Sequence, residues 1–341
     1  MKHSTHIAQQ KINKDITNNM TIISEKILVI KLSALGDFIQ AMGPMAAIRK
    51  HHPSAKITLL TTSPFKKFAQ ECGYFDDIIL DKRPKWYQLN GWFALRKTLI
   101  TGHYTRVYDL QNNDRSALYF NLFPHHKKPE WVRVARGASH RNTSPERTAG
   151  HAFDGHKQNL ELAGIQNITV DPLEWMKGDI STFALSKPYI LLAPGCAPNR
   201  PEKRWPAEKF GALANALNDL GYQPVIIGTA AEQEAMDVIA TMCPNALNLG
   251  MQTSLYQIAE LARGATAAIG NDTGPMHLIG VTNCPCLVLF SQHSNPVQHA
   301  PKGDFIEVIQ VKKLNDLTNE TVIKKLSPLL ELKGKTNKII Y

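Results

Sequence analysis

The sequence predicts an α/β protein made of two doubly wound parallel sheets that face one another across a cleft. Three observations carry that expectation. Short apolar runs alternate with helical patterns along most of the chain, the rhythm of parallel strands with crossover helices. The 341 residues amount to two domains at roughly 150 residues each. The rhythm also restarts near residue 189, after a connecting stretch at 179–187.

Taken in order, residues 1–24 are polar and lack periodicity, which predicts a disordered leader outside the fold. The run 27–32 reads as a strand and Ser33-Ala34-Leu35-Gly36 as a tight turn, Gly36 permitting a backbone closed to larger residues. Apolar residues at helical spacing from Phe38 to Ile48 make the next helix, and 56–61 and 77–80 the next strands. In the second half, 189–193 is a strand and 207–220 a helix stopped by Gly221, with Pro206 expected at its first helical position. Strands at 224–227, 267–269 and 286–290 then alternate with helices at 230–243, 254–262 and from 275. The division that follows is a leader at 1–24, domains at 25–180 and 181–313, and a helix with a basic tail at 314–341.

Composition narrows the functional classes. Hydrophobic residues at 43% and charged residues at 20% fit a chain with a packed core and exclude a disordered or fibrous one. Thirty-nine Lys and Arg against 29 Asp and Glu leave a net charge of +10, which favours anionic partners. Thirteen basic residues against five acidic ones lie between Asp81 and Arg147, interleaved with Trp86, Tyr87, Trp92, Tyr104, Tyr108, Tyr119 and Trp131. Five cysteines in no C-x-x-C or zinc spacing point to a reducing compartment, and so to the cytoplasm. No apolar run reaches the length of a membrane span, and the first residues lack a signal-peptide core.

Ligand sites in doubly wound sheets lie beyond the carboxyl ends of the strands, so three loops carry the chemistry. In the first, Asp37 follows Gly36 in the opening turn of a helix, where a carboxylate either complements the dipole or accepts a proton. In the second, Arg200, Lys203 and Arg204 group within five residues between a strand and a helix, which suits a diphosphate or a solvated basic loop. In the third, a strand runs into Gly270-Asn271-Asp272-Thr273-Gly274-Pro275, with Asp272 or Thr273 placed to cap a helix and Pro275 in its first turn. The amides of that helix end suit either a phosphate cradle needing no metal or a capped helix with no ligand, and His277, one turn in, is either a core histidine or a phosphate partner.

Absences sharpen this. Gly334-Lys335-Thr336 has Leu329 where a P-loop needs its first glycine, and no G-x-G-x-x-G, H-E-x-x-H, G-x-S-x-G or D-x-D occurs.

In this order the loops resemble glycosyltransferase family 9, the ADP-heptose:lipopolysaccharide heptosyltransferases. The resemblance rests on residues 27–49, 203–210 (KRWPAEKF), 221–228 (GYQPVIIG) and 270–278 (GNDTGPMHL), with Thr253-Ser254-Leu255 before a helix. It covers roughly 25–311. Residues 193–197 and 290–293 depart from the family's His-Pro-Gly-Ala-Ser and Phe-Gly-Pro-Thr.

The resemblance implies a GT-B architecture of two Rossmann-like domains and an inverting, metal-independent, cofactor-free transfer of heptose from ADP-heptose to the lipopolysaccharide inner core. It implies work at the cytoplasmic face of the inner membrane of Gram-negative bacteria, with peripheral contact to that surface and no nucleic-acid partner. Asp37 matches the family's general base. Lys203, Arg204, Glu232, Thr253, Asp272, Thr273, Gly274 and His277 are the expected donor contacts. With such an acceptor the basic stretch between 81 and 147 offers Arg115, Arg133, Arg136 and Arg141, together with Gly36, as its contacts, the alternative for the arginines being a solvated face. The alternatives are a GT-B transferase using another nucleotide sugar or a protein acceptor, and a non-catalytic anion-binding module.

Overall fold

The computed structural model describes residues 25–336 other than 134 and 198; the expected leader and the last five residues lie outside the described residues. The first sheet is parallel, with strands in the order β3-β2-β1-β4-β5. They are β1 (Lys26–Ile30), β2 (Lys56–Thr61), β3 (Asp77–Leu80), β4 (Arg106–Asp109) and β5 (Glu130–Val132). The helices of this half are α1 (Leu35–His51), α2 (Lys66–Glu71), α3 (Leu89–Thr101), α4 (Asp114–Leu122) and α5 (Ala152–Leu162).

The second sheet, also parallel, runs β11-β10-β9-β6-β7-β8. Its strands are β6 (Tyr189–Ala193), β7 (Gln223–Ile226), β8 (Leu247–Asn248), β9 (Ala267–Asn271), β10 (Cys286–Ser291) and β11 (Ile306–Val311). Its helices are α6 (Ala207–Asp219), α7 (Gln233–Met242), α8 (Leu255–Gly264), α9 (Gly274–Val281), α10 (Pro296–His299) and α11 (Asn319–Thr336). Both sheets thus have Rossmann-like order, and the order reverses between β1 and β4 in one and between β6 and β9 in the other.

Why the chain takes these forms is local. β1, β6, β9 and β10 are buried almost throughout because helices cover both faces, so they read as continuous apolar runs rather than alternating ones. Helix α6 ends where Gly221, at φ 83°, adopts the left-handed backbone that bends the chain into β7. Pro206 caps α6 from the position before its first turn, one place earlier than the sequence suggests. Gly36 lies inside α1 rather than in a left-handed turn.

Helix α1 is buried on nearly every side, including Gly36, Phe38, Gln40, Met42, Gly43 and Met45, because it lies between the two sheets and packs on α9. The halves also meet where the rings of Phe68, Trp175 and Tyr256 stand 5.8–6.2 Å apart. On the other flank His151 Nε2 donates to Ala300 O at 2.7 Å and Lys302 pairs with Asp154 at 3.4 Å. The segment just before the connecting stretch is held to α8 by Arg263, whose guanidinium donates to Met176 O and Leu173 O at 2.7 and 2.6 Å.

Helix α11 lays Val322, Leu326 and Leu329 on the core that contains Trp205, Phe210 and Leu213, closing the outer face of the second sheet. All five cysteines are buried free thiols. Among the described residues no helix is long and apolar enough to cross a membrane.

Candidate functional site

Two helix N-termini meet at the centre of the cleft, α1 following β1 and α9 following β9. On the first side, Leu32 N–H and Ser33 N–H both donate to Gln111 Oε1, at 2.7 and 3.1 Å, so the loop after β4 fixes the loop after β1. Ala34 N–H reaches Asp37 Oδ2 at 3.4 Å, and the Asp37 side chain otherwise faces the open cleft.

Gly36 is needed for a reason the sequence hides. A Cβ there would come within 2.6 Å of His277 Cδ2, so only glycine lets α9 approach. Gln40 Nε2 donates to His277 Nδ1 at 2.9 Å, which leaves the ring proton on Nε2 for this amide orientation. Burial pushes His277 down to about 4, against the pull of Asp272 and Asp37, so the ring is neutral at pH 7.

On the second side, fully buried Asn271 holds the cationic loop at both ends. Its Nδ2 donates to Pro194 O at 2.7 Å and its Oδ1 accepts from Trp205 N–H at 3.0 Å. Trp205 is itself anchored by Nε1 donating to Leu317 O at 3.1 Å and by an edge contact with Phe210. Asp272 does not cap α9. It accepts from Lys203 Nζ at 2.8 Å and from Ser294 Oγ at 2.6 Å, which sets the ammonium group beside the helix end. Thr273 occupies the cap position but its hydroxyl makes no cap bond, so the amide end of α9 faces the cavity.

These groups line one cavity of about 540 Å³, which includes Asp37, Gln40, Lys203, Asp272, Thr273 and His277. It lies beyond the carboxyl ends of β6 and β9, at the reversal of strand order. A second cavity of about 300 Å³ shares Asp37 and His299 with it and is lined by Lys31, Arg133, Arg147 and His156.

In this second cavity, Lys31 and Arg133 are both almost fully buried. Lys31 Nζ donates to Leu110 O at 3.1 Å, Arg133 Nη1 donates to His156 Nδ1 at 3.0 Å, and Arg133 Nε has no partner among the described residues. Burial lowers Lys31 to about 8 and Arg133 to about 10, and pushes His156 well down. Buried Asp109 is their near counter-ion; burial raises it against the pull of Arg133. Buried Lys31 and Arg133, with Arg147 on the rim, are three cations facing buried Asp109 and the Asp37 carboxylate, an excess of positive charge that fits an anion.

Other expected residues lie elsewhere. Arg204 turns back to Cys196 O at 3.4 Å and does not line the cavity. Glu232 accepts from Thr229 N–H and Oγ1 at 2.9 and 2.7 Å while covering Gly195, on the flank of the loop after β6. Thr253 immediately precedes Ser254, the cap of α8. Arg115 is a brace: it donates to Tyr119 OH at 2.8 Å and Pro84 O at 3.0 Å, lies 3.9 Å from buried Asp81 and stacks on Trp92. Arg136 and Arg141 are exposed and line neither cavity. Lys31, Arg147, His156 and Gln40 were missed; the signal for Lys31 was a lone charge closing an otherwise apolar strand.

A model of glycosyltransferase family 9 (heptosyltransferase) matches residues 92–327. Lipopolysaccharide heptosyltransferase 2 of Escherichia coli (strain K12) is 27% identical over 355 residues, covering 89% of this chain and 98% of that protein. Among solved structures, the glycosyl transferase family 9 protein from Veillonella parvula DSM 2008 superposes with a TM-score of 0.77 at 23% identity, covering 90% of this chain and 97% of that one. The E. coli heptosyltransferase WaaC with ADP gives a TM-score of 0.68 at 18% identity over 89% of this chain and 99% of that one.

Proposed function

The chain belongs to glycosyltransferase family 9, the heptosyltransferases, and on that footing we propose that it moves heptose from ADP-heptose to an anionic sugar of the lipopolysaccharide inner core, with inversion and with Asp37 as general base. The observation that carries this reading is the shared cavity, in which the Asp37 carboxylate stands among Lys203, Thr273 and His277.

An acceptor hydroxyl attacks the anomeric carbon of the heptose from the face opposite the diphosphate. The new C–O bond forms as the bond to the diphosphate oxygen breaks, that oxygen keeps the electron pair, and Asp37 takes the hydroxyl proton. Lys203 and the amide end of α9 receive the developing negative charge, held in place beforehand by Asp272, Ser294 and Asn271. Neutral His277 offers Nε2–H without a second positive charge. In this reading 25–180 holds the acceptor, with Lys31 and Arg133 taking its anionic group, and 181–313 holds the nucleotide sugar, with Glu232 and Thr253 toward the nucleoside. Helix α11 completes the second domain. Such an acceptor is lipid-linked, which assigns the enzyme to the cytoplasmic face of the inner membrane.

The test is ADP release from ADP-heptose with a panel of truncated core acceptors, alongside thermal shifts with ADP and with UDP. Acceptor-dependent release together with stabilisation by ADP alone is expected. Stabilisation by UDP instead, or no release with any core acceptor, contradicts the reading.

A further inference from the structure

Helix α1 buries Phe38, Ile39, Ala41, Met42 and Met45, and among these apolar neighbours it also buries Gln40. The carboxamide is 4% exposed, lies one turn beyond Asp37 on the same face, and lines the cavity that Asp37 and Lys203 share. Among the described residues its Oε1 is shut off from solvent and has no hydrogen-bond partner. An orphaned buried oxygen costs about 1–3 kcal/mol, and a methionine of similar length fills such a gap without it. Stability therefore does not explain a glutamine at this position.

Its contact with His277 does. The bond from Gln40 Nε2 to His277 Nδ1, 2.9 Å long, crosses from α1 of the first half to α9 of the second. The ring is also pressed on Gly36, where a Cβ would meet Cδ2 at 2.6 Å and Nε2 at 2.9 Å. Nδ1 is thus engaged, whereas Nε2 has no partner among the described residues and is not shut off from solvent, so it opens to the cavity that His277 lines. Asp272 and Asp37, the carboxylates on that cavity, act on the ring more strongly than its other charged neighbours, His151 and His299. They favour a proton on the nitrogen that faces them, and an N–H donated to Nδ1 favours the same tautomer.

The charged parts of a sugar nucleotide already have counterparts here, the diphosphate in Lys203 and the end of α9, the departing proton in Asp37. A neutral N–H between Asp37 and that helix end suits the part that carries no charge, the hydroxyls of the sugar being moved. We propose that Gln40 is a positioning residue for the transferred sugar: it holds the His277 ring as the Nε2–H tautomer and turns that N–H toward a sugar hydroxyl in the cavity. The sugar as partner rests on the proposed function; the tautomer and its dependence on Gln40 do not.

The test joins a spectrum to a titration. In the full chain carrying isotope-labelled histidine, long-range proton–nitrogen correlations, assigned with His277→Gln, should show His277 protonated at Nε2 alone. Gln40→Glu places a carboxylate that accepts from the ring, so a proton should appear on Nδ1, and Gln40→Met should give both tautomers. Gln40→Met should also weaken ADP-heptose binding about tenfold while ADP binding stays within about twofold, because only the sugar separates the two ligands. A merely structural role would weaken both ligands alike and lower the melting temperature, which is expected to hold. Should Gln40→Met fail to fold, the spectra of the unaltered chain and of Gln40→Glu decide. A proton on Nδ1 in the unaltered chain, an unchanged affinity for ADP-heptose in Gln40→Met, or equal losses for both ligands overturns the proposal. Failure of the unaltered chain to bind ADP-heptose contradicts the proposed function and the sugar with it, whereas an Nε2–H tautomer lost in Gln40→Glu still upholds the hold of Gln40 on the ring.

Discussion

The wall of the cleft built on β6 and β9 and the wall built on β1, β4 and β5 each carry cations, but they hold them differently. On the first, Lys203 is paired directly with Asp272, Ser294 bonds the same carboxylate, and Asn271 holds the loop two residues on at Trp205. On the second, Lys31 and Arg133 come from separate strands and are matched by only one buried acid. The comparison teaches that a cation paired by the protein's own carboxylate is placed for precision, whereas buried cations short of counter-charge hold a place for an anion.

Lys203→Ala attacks the paired wall and should have the largest effect of the substitutions that separate the two walls. Losing one preorganised donor to a leaving group costs about 3–4 kcal/mol, read as a fall in kcat with weakened ADP binding; an unchanged kcat would remove Lys203 from the departure step. Asn271→Ala leaves Pro194 O and Trp205 N–H without their partner, so stability should drop by about 2–4 kcal/mol. Chemical unfolding measures that loss, and the donor KM should rise with it.

Two arginines sharpen the contrast within the other wall. Arg133→Met should raise the KM for an anionic acceptor about tenfold and leave ADP binding unchanged, while Arg115→Ala should lower stability by about 1–3 kcal/mol without moving acceptor KM. Steady-state kinetics beside a melting curve separates them, and the reverse assignment would exchange brace and ligand. The smallest expected effect is on pH. Burial lowers Lys31 to about 8 in the folded chain, so the charge that binds an anion is present below that pH and lost above it. Acceptor kcat/KM should therefore decline above about pH 8, with a shallower decline in Lys31→Met. Stability moves the other way: between about 8 and the ordinary lysine value of about 10.4 the unfolded chain binds more protons, so Lys31 makes the fold more stable as pH rises through that window.

Much of this was legible in the sequence where signals are local. Strands such as 189–193 and the Asn271-Asp272-Thr273 turn follow from apolar runs and cap chemistry over a few residues. What the sequence hid depends on distant packing. The requirement for Gly36 comes from His277, on a helix of the second sheet far along the chain. Arg115 and Arg133 lie in one basic stretch, and only the order of β4 and β5 and the position of Asp81 make one a brace and the other a cavity wall. Thr273 holds the cap position that the sequence offers, but its hydroxyl makes no cap bond, so the helix end stays open to the cavity.

The central claim is that Asp37 acts across one cavity from the Lys203 wall. Single-turnover transfer by Asp37→Asn with ADP-heptose and a core acceptor, beside an ADP titration, tests it most directly. The account predicts a loss of about 100- to 10,000-fold in rate with ADP affinity within a few fold of the unaltered protein. Turnover near the original rate, or ADP affinity lost together with turnover, would contradict it.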